Sequence, residues 1–164
     1  VQAKARLAAI VRAALSMQRD PAKLRADVLA MRAEVLAAKP AQGPLDVKLL
    51  RGGLVDSEFL VHYLQLREGI ALEPALEVAI GQLADARLLP EDYAATHLAL
   101  TRFLIAERLF APDGGTPHDE AQRTMARACG EESYAALLQT LARSRQAIAG
   151  QWHRHFDQRL EVDA

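Results

Sequence analysis

The sequence predicts an all-α fold, a bundle of six to seven helices around one core. Alanine, leucine and arginine, which favour helix, dominate its 164 residues. Apolar residues recur every three to four positions along successive segments, and prolines or glycines separate these segments. A chain of this length is expected to form a single domain, so residues 1–164 are taken as one helical unit.

The first two predicted helices cover about 2–18 and 21–38 and are expected to form an antiparallel hairpin, with Arg19-Asp20-Pro21 between them. The first carries its large apolar residues on one side: Leu7, Ile10, Val11, Ala14, Leu15 and Met17. The second repeats apolar residues at helical spacing: Leu24, Val28, Met31 and Val35.

A breaker-rich segment, 39–44, precedes the third helix. Residues 45–49 are expected to be short and extended, a lone strand without an obvious partner. Gly52 and Gly53 then open the third helix, which is expected to end near Glu68 and Gly69.

Prolines mark the starts of the later helices. Pro74 and Pro90 open the fourth and fifth, Pro112-Asp113-Gly114-Gly115 ends the fifth, and the sixth covers 117–129 with Gly130 as its C-terminal cap. The last, about 132–159, is expected to bury Leu137, Leu138, Leu141, Ile148, Trp152 and Phe156.

Composition limits the classes of function. The net charge is −1, so no overall field favours nucleic acid or an anionic membrane. No apolar run approaches the roughly 20 residues that span a membrane. The single cysteine, Cys129, indicates a reducing compartment, hence a cytoplasmic protein, and the start at Val1 suggests a fragment of a longer chain.

Residues 45–67 hold the candidate functional side chains. Gly52 and Gly53 could present backbone N–H groups to an anion at a helix N-terminus, with Lys48 and Arg51 adding positive charge. Asp56 would lie in the first turn, where its carboxylate itself complements the helix dipole. Two interpretations therefore stand, a bound phosphate and an internally satisfied turn, and the second is favoured.

The same helix carries Glu58, His62 and Gln65 along one stripe. Glu58 is expected to be buried and paired with Lys48, Arg51 or His62, and this pair could be structural or functional. Asp56 and Glu58 point in nearly opposite directions, so they do not form a metal pair, and His153-x-His155 has the wrong spacing for one. No metal site and no catalytic residue are predicted in this chain.

These residues resemble a segment of the bifunctional glutamine synthetase adenylyltransferase/adenylyl-removing enzymes of bacteria. That segment reads Asp-[Ile/Val]-Lys, then Gly-Gly-[Leu/Ile]-x-Asp-[Ile]-Glu-Phe-[Leu/Ile]-x-Gln-Tyr-Leu-x-Leu. The matching residues are Asp46, Val47, Lys48, Gly52, Gly53, Leu54, Asp56, Glu58, Phe59, Leu60, Tyr63, Leu64 and Leu66. Ser57 stands where the family usually has isoleucine, and His62 where glutamine is common. Met31-Arg32 resembles a Met-Arg pair of the family.

The resemblance implies a place in a larger enzyme with two nucleotidyltransferase domains, each followed by a helical domain. The catalytic domains carry a Gly-Ser turn and an Asp-x-Asp metal pair, and this sequence contains neither. It therefore resembles the C-terminal helical domain, inactive alone, while ATP and magnesium belong to the parent enzyme. Such an enzyme moves AMP from ATP to a tyrosine of glutamine synthetase and removes it by phosphorolysis.

The implied partners are the nucleotidyltransferase domain of the same protein and glutamine synthetase, with the PII signal protein and glutamine as regulators. The candidate residues for contact with the neighbouring domain or its cleft are Lys48, Arg51, Gly52, Gly53, Asp56, Glu58 and His62. Two rival interpretations remain: a stand-alone helical interaction module, and a bundle that binds a small molecule.

Overall fold

The computed structural model describes residues 2–112 and 115–162, and within these ranges it contains seven helices and no strand. The predicted break at Pro112–Gly115 therefore falls partly outside the described residues, since Asp113 and Gly114 are not among them. The helices are α1 (Gln2–Leu15), α2 (Pro21–Ala38), α3 (Leu54–Glu68), α4 (Leu76–Asp85), α5 (Tyr93–Phe110), α6 (Asp119–Cys129) and α7 (Tyr134–Phe156).

Local capping explains several of the helix boundaries. Asp20 accepts a hydrogen bond from the Lys23 amide at 2.7 Å and starts α2 ahead of Pro21. Ser133 does the same for α7 through the Ala136 amide, at 3.1 Å. Gly130 ends α6 in the left-handed conformation, which confirms the predicted cap.

The core is built around α3, which packs against α2, α4, α5 and α7, while α5, α6 and α7 pack against one another. Its aromatic centre joins α3 to the end of α7. The Tyr63 and Phe156 rings lie 4.5 Å apart, and the Trp152 and Phe156 rings 4.2 Å apart. In α7, the predicted burial of Leu138 is wrong, since this residue is 37% exposed. The other five predicted residues already fill the inward face of the helix, and Leu138 lies outside it.

The predicted hairpin of α1 and α2 is wrong. α1 packs closely against none of the other helices, and none of its described residues is buried. The Arg19 side chain binds the carbonyl oxygens of Ala14, Leu15 and Met17, and this holds the chain at the end of α1. α1 instead lies beside residues 71–74, leaving its apolar side largely open.

Residues 45–49 form turns rather than the predicted extended strand. The Asp46 carbonyl accepts hydrogen bonds from the amides of Leu49 and Leu50, at 3.2 and 2.9 Å. The Asp46 side chain accepts from the amides of Leu49 and Gln42, at 3.1 and 3.0 Å. Aspartate favours such turns because its carboxylate satisfies nearby amides.

Candidate functional site

Asp56, in the first turn of α3, is the centre of the candidate site. Its side chain is completely buried, and both carboxylate oxygens are bound. Oδ1 accepts from Arg32 Nε at 2.6 Å and from Arg51 Nη1 at 3.3 Å, while Oδ2 accepts from the Gly52 amide at 2.7 Å. We call Arg32, Arg51, Gly52 and Asp56 the Asp56 cluster. A buried carboxylate requires such partners, because unpaired charge is costly to remove from water.

Arg32 brings α2 into this cluster. It is the only buried residue of α2, at 1% exposed. Besides the ion pair, its Nη2 donates to the Leu49 carbonyl at 3.2 Å. Its Nη1 is buried and has no hydrogen-bond partner in the described structure. One guanidinium thus ties α2, the 45–53 turn and α3 together.

The backbone amides at the start of α3 are occupied by the chain itself. Gly52 N–H donates to Asp56, and Gly53 N–H donates to the Leu50 carbonyl at 2.9 Å. The amides of Leu54 and Val55 donate to carbonyls of the preceding turn, at 2.9 and 3.1 Å. Of the two sequence interpretations, the geometry therefore favours the internally satisfied turn over an amide cradle for phosphate.

The two glycines permit close backbone packing inside the domain. Gly52 has φ of +71°, and a Cβ there would lie 2.3 Å from the Arg145 carbonyl oxygen of α7. A Cβ on Gly53 would lie 2.2 Å from the Val47 carbonyl oxygen. Both residues are buried, so their requirement for glycine comes from neighbours within this chain.

Arg51 extends the cluster toward α7. Its guanidinium lies 5.8 Å from the centre of the Trp152 ring, and its carbonyl accepts from Arg145 Nε at 3.0 Å. Burial lowers the pKa of Arg51, although the neighbouring Asp56 carboxylate opposes that effect. The half-buried Arg51 therefore acts mainly as a link between α3 and α7.

A second buried polar network joins α3 to α5. The Tyr93 hydroxyl donates to Ser57 Oγ, and Ser57 Oγ lies 3.0 Å from His97 Nδ1. Burial lowers the pKa of His97 and raises that of Tyr93. Ser57 is 0% exposed and Tyr93 2%, so no substrate reaches this serine–histidine pair, and the network is structural.

Glu58 is exposed, so its predicted burial and pairing are wrong. Asp56 and Ser57 take the inward positions of this turn, and Glu58 points away with His62 one turn later. His62 is also exposed, and its Nδ1 lies 2.8 Å from Gln65 Oε1. Gln65 is buried and donates to the carbonyls of Ala71 and Glu73, so the predicted stripe divides into an outer and an inner part.

The seven sequence candidates therefore separate by depth. Gly52, Gly53 and Asp56 are buried and serve the interior, and Arg51 is half-buried. Lys48, Glu58 and His62 are exposed and available to a partner.

Sequence reasoning missed the role of Arg32. A signal was present, because Arg32 follows Leu24 and Val28 at intervals of four on the inward side of α2. Met31, which was assigned to that side, is 56% exposed. Arg145, which reaches the Arg51 carbonyl from α7, is a second buried arginine that spacing along its own helix does not reveal.

Within residues 2–112 and 115–162, no group of three or more His, Cys, Asp or Glu side chains is arranged to hold a metal ion. The described helices also include none with the length and hydropathy needed to cross a membrane.

Comparison with known proteins identifies relatives of one kind. No family model and no solved structure matches the chain. A bifunctional glutamine synthetase adenylyltransferase/adenylyl-removing enzyme from Bradyrhizobium diazoefficiens is 31% identical over 146 residues, which cover 80% of this chain and 14% of that protein. The same enzyme from Rhodopseudomonas palustris is 31% identical over 149 residues, covering 82% and 15%.

Another relative matches a shorter stretch of the chain at higher sequence identity. The enzyme of the same name from Chromobacterium violaceum is 49% identical over 72 residues, 44% of this chain and 8% of that protein. The chain thus corresponds to only a small part of the length of the relatives it matches. Over four-fifths of its own length, this chain is related in sequence to a segment of the bifunctional glutamine synthetase adenylyltransferase/adenylyl-removing enzymes.

Proposed function

We propose that this chain is a helical scaffold and regulatory domain of an enzyme that adenylylates glutamine synthetase. In that enzyme, AMP passes from ATP to a tyrosine of glutamine synthetase and is removed again by phosphorolysis. The catalytic work, with ATP and magnesium, belongs to a nucleotidyltransferase domain elsewhere in the protein. This domain would be the C-terminal helical one and would act in the cytoplasm.

The observation that carries the proposal is the similarity over 80% of the chain, at 31% identity, to adenylyltransferases. The absence of a Gly-Ser pair and of Asp-x-Asp from the sequence supports a non-catalytic role. Magnesium-assisted nucleotidyl transfer depends on clustered carboxylates that hold the metal.

The geometry of the Asp56 cluster favours a scaffold over a second active site. The carboxylate is held by Arg32, Arg51 and the Gly52 amide, so it has no free oxygen for metal or substrate. The residues that resemble the family's motif would therefore form a joint among α2, α3 and α7. A rigid joint suits a domain that positions a neighbour.

Contact with the nucleotidyltransferase domain would use the exposed residues beside this joint. Lys48, Glu58 and His62 are each exposed and offer one cation, one carboxylate and one imidazole. The half-buried Arg51 lies at the edge of the joint. Glutamine synthetase is the proposed substrate protein, and the PII signal protein and glutamine are the proposed regulators.

Two measurements test the proposal. The native gene should encode a Gly-Ser turn and an Asp-x-Asp pair upstream of Val1, and its full product should transfer labelled AMP to glutamine synthetase. The 164-residue chain alone should not transfer AMP to glutamine synthetase. Magnesium-dependent transfer by the chain alone, or a native gene without that domain, would contradict it.

Within the full product, Lys48→Ala should lower AMP transfer more than it lowers the melting temperature. Lys4→Ala, the same change on exposed α1, is the matched control and should alter neither. Parallel loss of activity and stability in Lys48→Ala would leave this residue only a structural role.

A second candidate is a stand-alone helical interaction module, favoured by the open apolar side of α1. Leu7, Ile10 and Val11 are 62%, 59% and 48% exposed. Large apolar side chains exposed together commonly mark a protein contact. The native gene distinguishes the candidates, because a stand-alone module would lack the upstream catalytic domain.

A further inference from the structure

We propose that a cleft between the 39–49 segment and the end of α5 binds a small anionic molecule that carries phosphate or paired carboxylate groups. The cleft has a volume of about 550 Å³. This lies within the range of about 300–1,000 Å³ that is usual for small-molecule sites. The inference depends on the side chains of this chain and does not require the proposed adenylyltransferase role, although both proposals use Lys48.

Three cations from different elements line the cleft: Lys39 after the end of α2, Lys48 in the following turn, and Arg108 in the last turn of α5. In the described structure, the side chains of these three residues form no ion pair or hydrogen bond. They are exposed and free to turn toward a ligand in the cleft. With the carboxylates of Asp46 and Glu107 also in the lining, the cleft carries a formal excess of one positive charge, which favours an anion.

Among the described residues, the two carboxylates of the cleft form no ion pair with these cations. Both oxygens of Asp46 already accept hydrogen bonds, Oδ1 from the Leu49 amide and Oδ2 from the Gln42 amide. Burial, and then the nearby Asp46 carboxylate, raise the pKa of Glu107, and the positive charge of Arg108 opposes this shift. Glu107 is thus the one carboxylate whose oxygens remain available, and it opposes an anion in the cleft.

Most of the remaining wall is apolar and includes Pro40, Leu49 and Leu104, and Gln42 adds one polar side chain. A ligand with an anionic group and a less polar body would match both sides. Lys and Arg side chains bind phosphate and carboxylate oxygens alike, so the lining identifies the ligand as an anion of either kind.

The test is a titration of the 164-residue chain with inorganic pyrophosphate and, separately, with citrate, followed by amide NMR shifts. Salt of about 0.15 M screens weak nonspecific attraction beyond about 8 Å. At least one probe should bind saturably, with a dissociation constant of about 1 mM or tighter. The shifted amides should cluster near residues 39, 48 and 108, and the stronger probe identifies phosphate or carboxylate as the preferred group.

Three variants complete the test. Lys48→Ala and Arg108→Ala should each weaken binding about five-fold, the upper range for an exposed charge pair. The control Lys4→Ala removes the same charge on α1 and should leave affinity unchanged. Glu107→Gln should tighten binding. Failure of both probes to saturate, equal weakening by the control, or weaker binding by Glu107→Gln would overturn the inference.

Discussion

α1 and α3 have nearly the same length, 14 and 15 residues, and both carry a run of apolar side chains. α3 buries nine residues, whereas no described residue of α1 is buried. The difference arises from their neighbours, since α3 packs against four helices, whereas α1 borders an open cleft beside the 71–74 loop and the end of α3. An apolar pattern thus indicates which side of a helix can be covered, and the rest of the fold decides whether it is.

Charge differs between the two helices in the same way. Asp56 of α3 is buried because α2 supplies Arg32 and the preceding turn supplies Arg51 and the Gly52 amide. All charged residues of α1 are cations, Lys4, Arg6 and Arg12, and all three are exposed. α3 therefore holds the domain together, and α1 is available for contact with something else.

The largest expected effect is on the Asp56 cluster. Asp56→Ala removes the carboxylate and leaves the Arg32 guanidinium buried without its ion pair. Loss of one partner of a buried pair costs about 3–5 kcal/mol. Urea unfolding of the variant should show a free energy of unfolding lowered by that amount. Glu58→Ala, two positions along the same helix but exposed, should leave the midpoint nearly unchanged.

Glycine variants sharpen the comparison at the start of α3. Gly52→Ala should lower the free energy of unfolding by about 2–4 kcal/mol, since it combines a left-handed conformation with overpacking against the Arg145 carbonyl. Gly69→Ala, at the end of the same helix, has a similar φ of +67° but no atom within 4 Å of the new Cβ. It should cost only about 1–2 kcal/mol. Equal losses would show that the close approach to α7 is unimportant.

The sequence was sufficient for the helices but not for the contacts among them. Prolines, caps and apolar spacing predicted a bundle of six to seven helices, because these signals are local. The sequence could not show which of the two carboxylates of α3, Asp56 or Glu58, faces inward, because both are equally polar. The structure buries Asp56 and exposes Glu58. The ion pair of Arg32 and Asp56 joins residues 24 positions apart, and spacing along one helix gives no information on such pairs.

Titration of His97 offers a pH-dependent test of the α3–α5 contact. Burial lowers its pKa in the folded protein, so the folded state favours the neutral ring. The stability from this preference is present above the unfolded pKa of about 6.5 and is lost as pH falls toward the lower folded value. His155 contributes in the same direction, since burial and Arg67 lower its pKa.

Unfolding free energies measured between pH 7.5 and pH 5 (about one unit or more on either side of the reference pKa) should therefore decrease with acidity. His97→Asn should reduce that decrease, whereas His153→Asn, an exposed position on α7, should not. An unchanged pH dependence in His97→Asn would mean that the pKa of this histidine does not differ between the folded and unfolded states.

Removal of α1 should have the smallest effect. Since no described residue of α1 is buried, deletion of residues 1–16 should change the free energy of unfolding of the rest by less than about 1 kcal/mol. Amide hydrogen exchange in the intact chain should be faster in α1 than in α3. Protection of α1 equal to that of α3 would show that it is packed in solution.

A double-mutant cycle on Arg32 and Asp56 tests the central claim most directly, that the Asp56 cluster is an internal joint of this domain. Asp56→Leu should lower the free energy of unfolding in urea by about 3–5 kcal/mol, because it leaves the Arg32 guanidinium buried without its ion pair. Arg32→Met should cost less, because the Asp56 carboxylate keeps Arg51 and the Gly52 amide as partners. The double variant leaves neither charge, so its loss should fall below the sum of the single losses by about 1–3 kcal/mol or more. Additive losses would contradict the account, because they would mean that the two side chains do not stabilise the domain through each other.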